Sequence, residues 1–268
     1  MMEIKIGTYN VQNLFDKFDD PLKEDGPPKS DESKKALAEV IKTLDNDILA
    51  LQEVENIEII QEVLDLAGLK ERYNIIVGKS DGRGIACALL VDKKFPIKSW
   101  TINENESLFY RPPVEAIVEI APGFNVKFIT VHFKAKMTPE SKEQRIKEAK
   151  RTIEMAKKTN IPTVILGDYN DLPDSEISSI FENNGFVDVR KIDKLSKDID
   201  SPTKILENFE NWSIIDYIRV NNPIHSLVVQ GSYDVLDEKE KFEVKIASDH
   251  RPVSIVIRGI FLNFEEFK

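Results

Sequence analysis

Ten apolar runs of strand length punctuate the chain, at 4–9, 47–52, 73–77, 84–91, 114–120, 125–132, 162–167, 213–220, 225–230 and 252–257. Helical patterns interrupt them at 32–44, 56–67, 140–158 and 175–183. The 140–158 segment is the clearest helix, with Ile146, Ala149, Ile153 and Ala156 on one face. Some runs follow each other directly and others are separated by a helix. That mixed order predicts an α/β chain with two sheets and helices packed outside them. Two stretches read as irregular loops: 16–31, with Gly26-Pro27-Pro28, and 191–211. There is no internal repeat, low-complexity tract or composition break. With 268 residues, one domain over 1–268 is the economical expectation.

Composition narrows the function classes. A net charge of −10 argues against a generally basic nucleic-acid coat, though not against a local basic patch. Cys87 is the only cysteine, which excludes an intrachain disulfide and a cysteine metal cluster. Within "GIACALLV" it reads as a core residue. No stretch reaches the length of a membrane helix. "MMEIKIGTYN" reads as an alternating strand and lacks the apolar core of a signal peptide. The expectation is a cytoplasmic protein without a membrane partner; nothing in the sequence points to a protein partner.

The ends of the strands carry residues that a neutral fold does not need. The first ends in Thr8-Tyr9-Asn10, and "DILALQEVEN" ends in Gln52-Glu53. "FITVHFK" sets His132 in an apolar run, and "VILGDYNDLP" turns four apolar residues into Asp168, Asn170 and Asp171. "SIIDYIRV" places Asp216 between Ile215 and Tyr217, and Asp249-His250 stand just before the last strand. Singly, each has a plain explanation: a helix-capping Glu53, a core histidine at 132, turn chemistry after Gly167, an arginine partner for Asp216. Together they are too many ionisable groups to bury unless each is paired or bound to a metal. Acidic and amide oxygens without thiolates are the hard donors that Mg²⁺ or Mn²⁺ prefers. Two histidines and a further aspartate beside such oxygens are what phosphoester hydrolysis requires.

In this order the motifs resemble the endonuclease/exonuclease/phosphatase superfamily, the group of deoxyribonuclease I and exonuclease III. The resemblance runs from residue 4 to 257. "YNVQNLFD", "LALQEVEN" and "RGIACALL" look most like bacterial nuclease-type members. It implies a four-layer α/β sandwich of two packed mixed β-sheets flanked by helices, and a divalent cation, Mg²⁺ or Mn²⁺. It assigns Glu53, with Asn10 beside it and Asp249 opposite, to the metal. Asp168 would orient or deprotonate the attacking water, and Asn170 would hold phosphate and water in line. His250, fixed by Asp216, would donate to the phosphate or its leaving side, and His132 would contact a non-bridging oxygen.

Several nuclease members carry a tyrosine where "SDGRGIACALL" offers Arg83, and Gln12 stands where damaged-DNA specialists carry an acidic residue. Arg83 and Arg111 are candidate phosphate contacts. Between Lys134 and Lys158, nine Lys/Arg face four Glu. The later lysines read as a solvated helix face, whereas Lys134 and Lys136, just past His132, are placed to reach a backbone phosphate. The phosphatase signatures and the membrane hairpin of sphingomyelinases are missing. The expectation is a divalent-metal-dependent phosphodiesterase, a nuclease of low sequence specificity with DNA favoured as substrate. A phosphomonoesterase or phospholipid-type phosphodiesterase is the alternative. A non-catalytic binding scaffold is disfavoured, because Glu53, Asp168 and His250 are all present.

Overall fold

The computed structural model describes residues 2–18, 20–104, 106–135, 138–204 and 213–259. Twelve strands form two six-stranded sheets. One sheet holds β1 (Glu3–Leu14), β2 (Ile48–Val54), β3 (Tyr73–Val77), β4 (Ala86–Asp92), β11 (Asp234–Val235) and β12 (Val253–Arg258), in the order β11-β12-β1-β2-β4-β3. The other holds β5 (Ile97–Thr101), β6 (Val114–Ala121), β7 (Phe124–His132), β8 (Thr163–Asp168), β9 (Val187–Asp188) and β10 (Asp216–Val220), in the order β5-β6-β7-β8-β10-β9. Both sheets are mixed: β1–β2 and β7–β8 run parallel, the other pairs antiparallel.

Alternation along the strands builds the layers. Ile4, Ile6, Ile48, Ala50, Val126, Phe128, Val164, Leu166, Ile218 and Val220 turn inward and fill the space between the sheets. The intervening residues face outward. Leu49, Leu51 and Leu90 meet α1 (Asp31–Leu44) and α2 (Ile57–Leu66). Ile129, Val131 and Ile165 meet α3 (Pro139–Lys157) and α4 (Glu176–Asn183). The expected four-layer sandwich is therefore present, and burial on both strand faces explains why the runs read as continuously apolar. The helices start where their caps sit. Ser30, Asn56, Thr138 and Ser175 each accept a hydrogen bond from the backbone N–H three residues on. Capping of α2 thus falls to Asn56, and Glu53 is free for other work.

The structure departs from the sequence expectations in three places. Residues 225–230 do not form a strand. Ile224–Leu227 is a short helix, α6, and only Val228 makes a β-bridge, to Ile257. The run at 213–220 starts its strand late, at Asp216. Strand β5 was not visible as a run because it is an edge strand whose residues are half-exposed or exposed, so no apolar pattern was selected there. Short helices α5 (Val189–Ile192) and α7 (Glu243–Ala247) complete the described elements.

Gly167 is required by the close approach of β8 to β7. Its φ is +147°, and a Cβ there would stand 1.9 Å from the Val131 carbonyl oxygen, in the strand pair next to His132 and Asp168. Gly167→Ala combines backbone strain with overpacking, together about 3 kcal/mol or more. Denaturant unfolding should show a clearly lowered midpoint; a wild-type midpoint would mean that β7 and β8 can part without cost.

Candidate active site

The inward-facing positions that are apolar along most of each strand become polar at one end of the sandwich. Thr8 and Asn10 continue the face of Ile4 and Ile6, Gln52 that of Ile48 and Ala50, and Thr130 and His132 that of Val126 and Phe128. Asp168 follows Val164 and Leu166. Asp216 precedes Ile218 and Val220 on an antiparallel strand, which brings it to the same end. His250 lies just before β12, which runs antiparallel to β1. Strand register then pairs the chemistry: Asn10 with Gln52, His132 with Asp168, and Asp168 with Asp216. Burying an ionised carboxylate costs several kcal/mol, more than the ~1.5–3 kcal/mol that one buried Leu or Ile returns. Most of these residues stay inside because they satisfy one another: Thr8 pairs with Gln52, Asn10 with Asp168 and Asp216 with His250.

Glu53 is turned toward this end by a bulge. The register of β2 shifts between Gln52 and Val54, and Glu53 adopts φ +65°, an unfavourable conformation for a side chain of that kind. Its carboxylate accepts from Asn13 N at 2.9 Å and from Asn10 Nδ2 at 3.3 Å. Gln12, Asn13 and Asn170 also have positive φ, so left-handed backbone gathers around the cleft. Asn10 is a neutral bridge: Nδ2 donates to Asp168 Oδ2 (3.0 Å) as well as to Glu53, while its Oδ1 accepts from Gln12 N (3.0 Å). Asn170 donates from its amide to the Phe133 carbonyl and from its backbone to Asp168 Oδ1 at 2.7 Å.

Two imidazoles face one carboxylate oxygen. His132 Nε2 is 3.6 Å and His250 Nε2 3.8 Å from Asp168 Oδ2. Those separations are too long for direct hydrogen bonds but suit an oxygen held between them. The two histidines differ in charge. Burial, followed by the Arg111 guanidinium and His250, holds His132 well below the ordinary histidine pKa, so it is neutral. Its Nδ1 is buried without a hydrogen-bond partner, which places the proton on Nε2, toward Glu53 and Asp168. Burial alone would lower His250 too. The Asp216 carboxylate, 2.9 Å from Nδ1, overrides it and pushes the pKa to about 9. Asp168 is raised to about 7, by burial and then by Asp216.

Asp249 is half-exposed beside His250. Its N–H donates to Gln12 Oε1 (3.2 Å), and its carboxylate pairs with Lys204. Lys204 is placed by a β-bridge to His250, and its neighbour Thr203 accepts from both Ile215 N and Asp216 N through Oγ1. Lys29 reaches in from the 16–31 loop to donate to the carbonyls of Val11 and Gln12; burial lowers its pKa to about 8. Lys204 and Lys29 were missed in the sequence because single polar residues in loops carry no periodic signal. Gln12 and Asn13 were not read as site residues because they sit at the end of β1, where a register shift breaks the alternation.

Among the expected phosphate contacts, Arg83 is exposed and donates to Asn13 Oδ1 (2.6 Å). Arg111 has a different task. It is buried, donates to the carbonyls of His132 (3.3 Å) and Phe133 (2.9 Å), and pairs with Asp81. It therefore fixes the backbone at His132 rather than offering itself to a ligand. Lys134 lies over the Tyr110 ring. Lys136 lies outside the described residues. Cys87 is buried, with its thiol pushed up to about 12 by burial.

Residues 7–250 match the model of the Endonuclease/Exonuclease/phosphatase family. The chain belongs to that family. Its members are divalent-metal-dependent phosphoric ester hydrolases, and this chain is an enzyme of that class. Similar solved structures include an endonuclease/exonuclease/phosphatase from Bacteroides vulgatus (18% identity, 96% of this chain and 99% of that one, TM-score 0.69). Truncated TDP2 from Caenorhabditis elegans is another (18%, 96% and 98%, TM-score 0.66). A mannosyl-6-phosphatase from Bacteroides thetaiotaomicron is a third (17%, 95% and 100%, TM-score 0.65). A search of curated proteins returns no match.

The donor set fits the family's cation. Glu53, Asp168 and Asp249 offer oxygens only, the site has no thiolate, and Asp168 is a buried carboxylate that a nearby positive charge would relieve. Asp168, Asp216 and His250 have ligand atoms within 4.8 Å of one another. However, Nδ1 of His250 is already taken by Asp216 at 2.9 Å, so those two form a hydrogen-bonded pair and only Asp168 of the trio stays open to a cation. Among the described residues no helix is long and apolar enough to cross a membrane.

Proposed function

We propose that the enzyme is a phosphodiesterase acting on nucleic acid, a nuclease with little sequence preference and DNA as its favoured substrate. The observation that carries this reading is the pair of Nε2 atoms, one on a neutral and one on a cationic imidazole, set about a single Asp168 oxygen. Arg83, exposed beside Asn13, and Lys134, two residues past His132, supply cations near the site, which a polyanion needs despite the net charge of −10.

In this reading Glu53, with Asp249 across the cleft, holds Mg²⁺ or Mn²⁺, and Asn10 aligns the Glu53 carboxylate. The cation neutralises phosphate charge when bound. Asp168 takes the proton of the attacking water, and its Oδ1 is kept in place by the Asn170 N–H. His132 donates from Nε2 to a non-bridging phosphate oxygen. His250 donates from Nε2 on the leaving side, while Asp216 holds its Nδ1 proton. Donors aimed in advance at the charge that develops are worth several kcal/mol in a water-poor site.

The test is a panel of plasmid DNA, single-stranded DNA, RNA, a small phosphodiester and sugar monophosphates, each with Mg²⁺ or Mn²⁺. Cleavage of the nucleic acids is expected, and excess EDTA should abolish it. Glu53→Gln should weaken metal binding, read by calorimetry on the free protein, at least tenfold (about 1.4 kcal/mol). Turnover of sugar monophosphates alone would overturn the nuclease reading; full activity in EDTA would remove the cation from it.

A further inference from the structure

Tyr110 is 52% exposed, although both its sequence neighbours, Phe109 and Arg111, are buried. Its position is determined from several directions at once. The buried Glu148 carboxylate, on α3, accepts from the backbone N–H of Lys134 at 2.9 Å. Burial raises its pKa, and the Tyr110 backbone lies close enough to lower it in part. From the same helix Gln144 donates to the Leu108 carbonyl (2.6 Å) and Arg145 to the Lys134 carbonyl (3.0 Å). Arg111 ties the next residue to the carbonyls of His132 and Phe133. The Lys134 ammonium sits 3.7 Å from the Tyr110 ring centroid. An aromatic ring is thus presented to solvent on a rigid frame that also carries His132, with a cation on one face.

Exposing a large ring on so constrained a backbone has no packing reward, because burial is what an aromatic side chain contributes to a core. What such a ring offers is a flat surface for another flat group. An ammonium alongside adds attraction for the phosphates that accompany a nucleobase. We propose that Tyr110, backed by Lys134, is the stacking platform for an unpaired base next to the scissile phosphate, so that the preferred substrate is a single-stranded or frayed nucleic-acid strand. This rests on the nuclease reading. Tyr110 is then a specificity residue, and Gln144, Arg145 and Glu148 are positioning residues that act through the backbone.

The experiment compares two single-stranded oligonucleotides of equal length, one ordinary and one with tetrahydrofuran in place of its bases, using wild-type enzyme, Tyr110→Ala and Tyr110→Trp. Tyr110→Ala should raise KM for the ordinary strand about 5- to 150-fold, the worth of one stacked base, with kcat unchanged. It should leave KM for the base-free strand unchanged, and Tyr110→Trp should restore the ordinary value. Equal losses on both strands, or no loss on the ordinary one, would overturn the platform while leaving the nuclease reading intact. An enzyme that cleaves neither strand nor any other nucleic acid fails at the proposed function itself, and the platform fails with it.

Discussion

Asp168→Asn should lower kcat by about 10²- to 10⁴-fold, the usual contribution of a general base, while making the protein more stable above neutral pH. Both effects come from one carboxylate. Burial, and then Asp216, raises its pKa to about 7, above the ~3.9 of an unfolded chain. A group with a raised folded pKa stabilises fully below its unfolded value and loses that contribution as pH climbs through the folded one. At pH 8 the ionised Asp168 therefore costs stability, and an asparagine of the same shape does not. The ionised form is also the one that accepts a proton. A cation on Glu53 favours it, so the active, cation-loaded enzyme should lose activity along an acid limb that lies below pH 7. Thermal melting at pH 6 and pH 8, with kcat over the same range, checks the pair of claims. A variant that stays active, or that melts lower than wild type at pH 8, would show that Asp168 is a structural acid.

The second large effect concerns His250 and Asp216, 2.9 Å apart at Nδ1. His250→Ala should also cost about 10²- to 10⁴-fold in kcat. Asp216→Asn should keep the fold yet approach that loss. Without the carboxylate, burial dominates and the imidazole pKa falls from about 9 toward or below the free-histidine value. The alkaline limb of the pH–rate profile, near 9 in wild type, should move down with it. The double variant should be little worse than His250→Ala alone, since groups acting as a unit are not additive. Linkage gives an independent reading. A histidine raised to about 9 stabilises fully below about 6.5 and loses that contribution as pH rises through 9. Asp216→Asn should flatten this part of the stability curve. Losses that multiply, with an unmoved alkaline limb, would separate the two residues.

Much of the site was legible because its residues obey the period of the strands that carry them. His132 and Asp168 follow alternating inward positions, and a polar residue at the end of such a series is conspicuous against apolar neighbours. The case of 225–230 shows the limit of the same signal: a short apolar run reads alike as strand or helix, and Pro223 and the packing of Ile224 into the inter-sheet core accompany a helix there. Arg111 shows another limit. By sequence Arg111, beside two prolines, reads as a phosphate contact, and only the fold reveals that it is buried against the carbonyls of His132 and Phe133.

By itself the sequence determined the two-sheet α/β class, the strand faces and the identity of the ionisable groups at the strand ends, because side-chain alternation and apolar patterning are local properties. Tertiary structure alone decided how those groups share protons. Asn10 meets Asp168 across 158 residues of chain, His250 meets Asp216 across 34, and Lys204 reaches Asp249 from a loop. The neutral state of His132 and the cationic state of His250 arise from burial and from which charges lie within a few ångströms. Those distances are set by the packing of one sheet on the other, by the bulge at Glu53 and by the tight passage at Gly167. Electrostatic energy depends on distance and dielectric, and neither is written in the order of the residues.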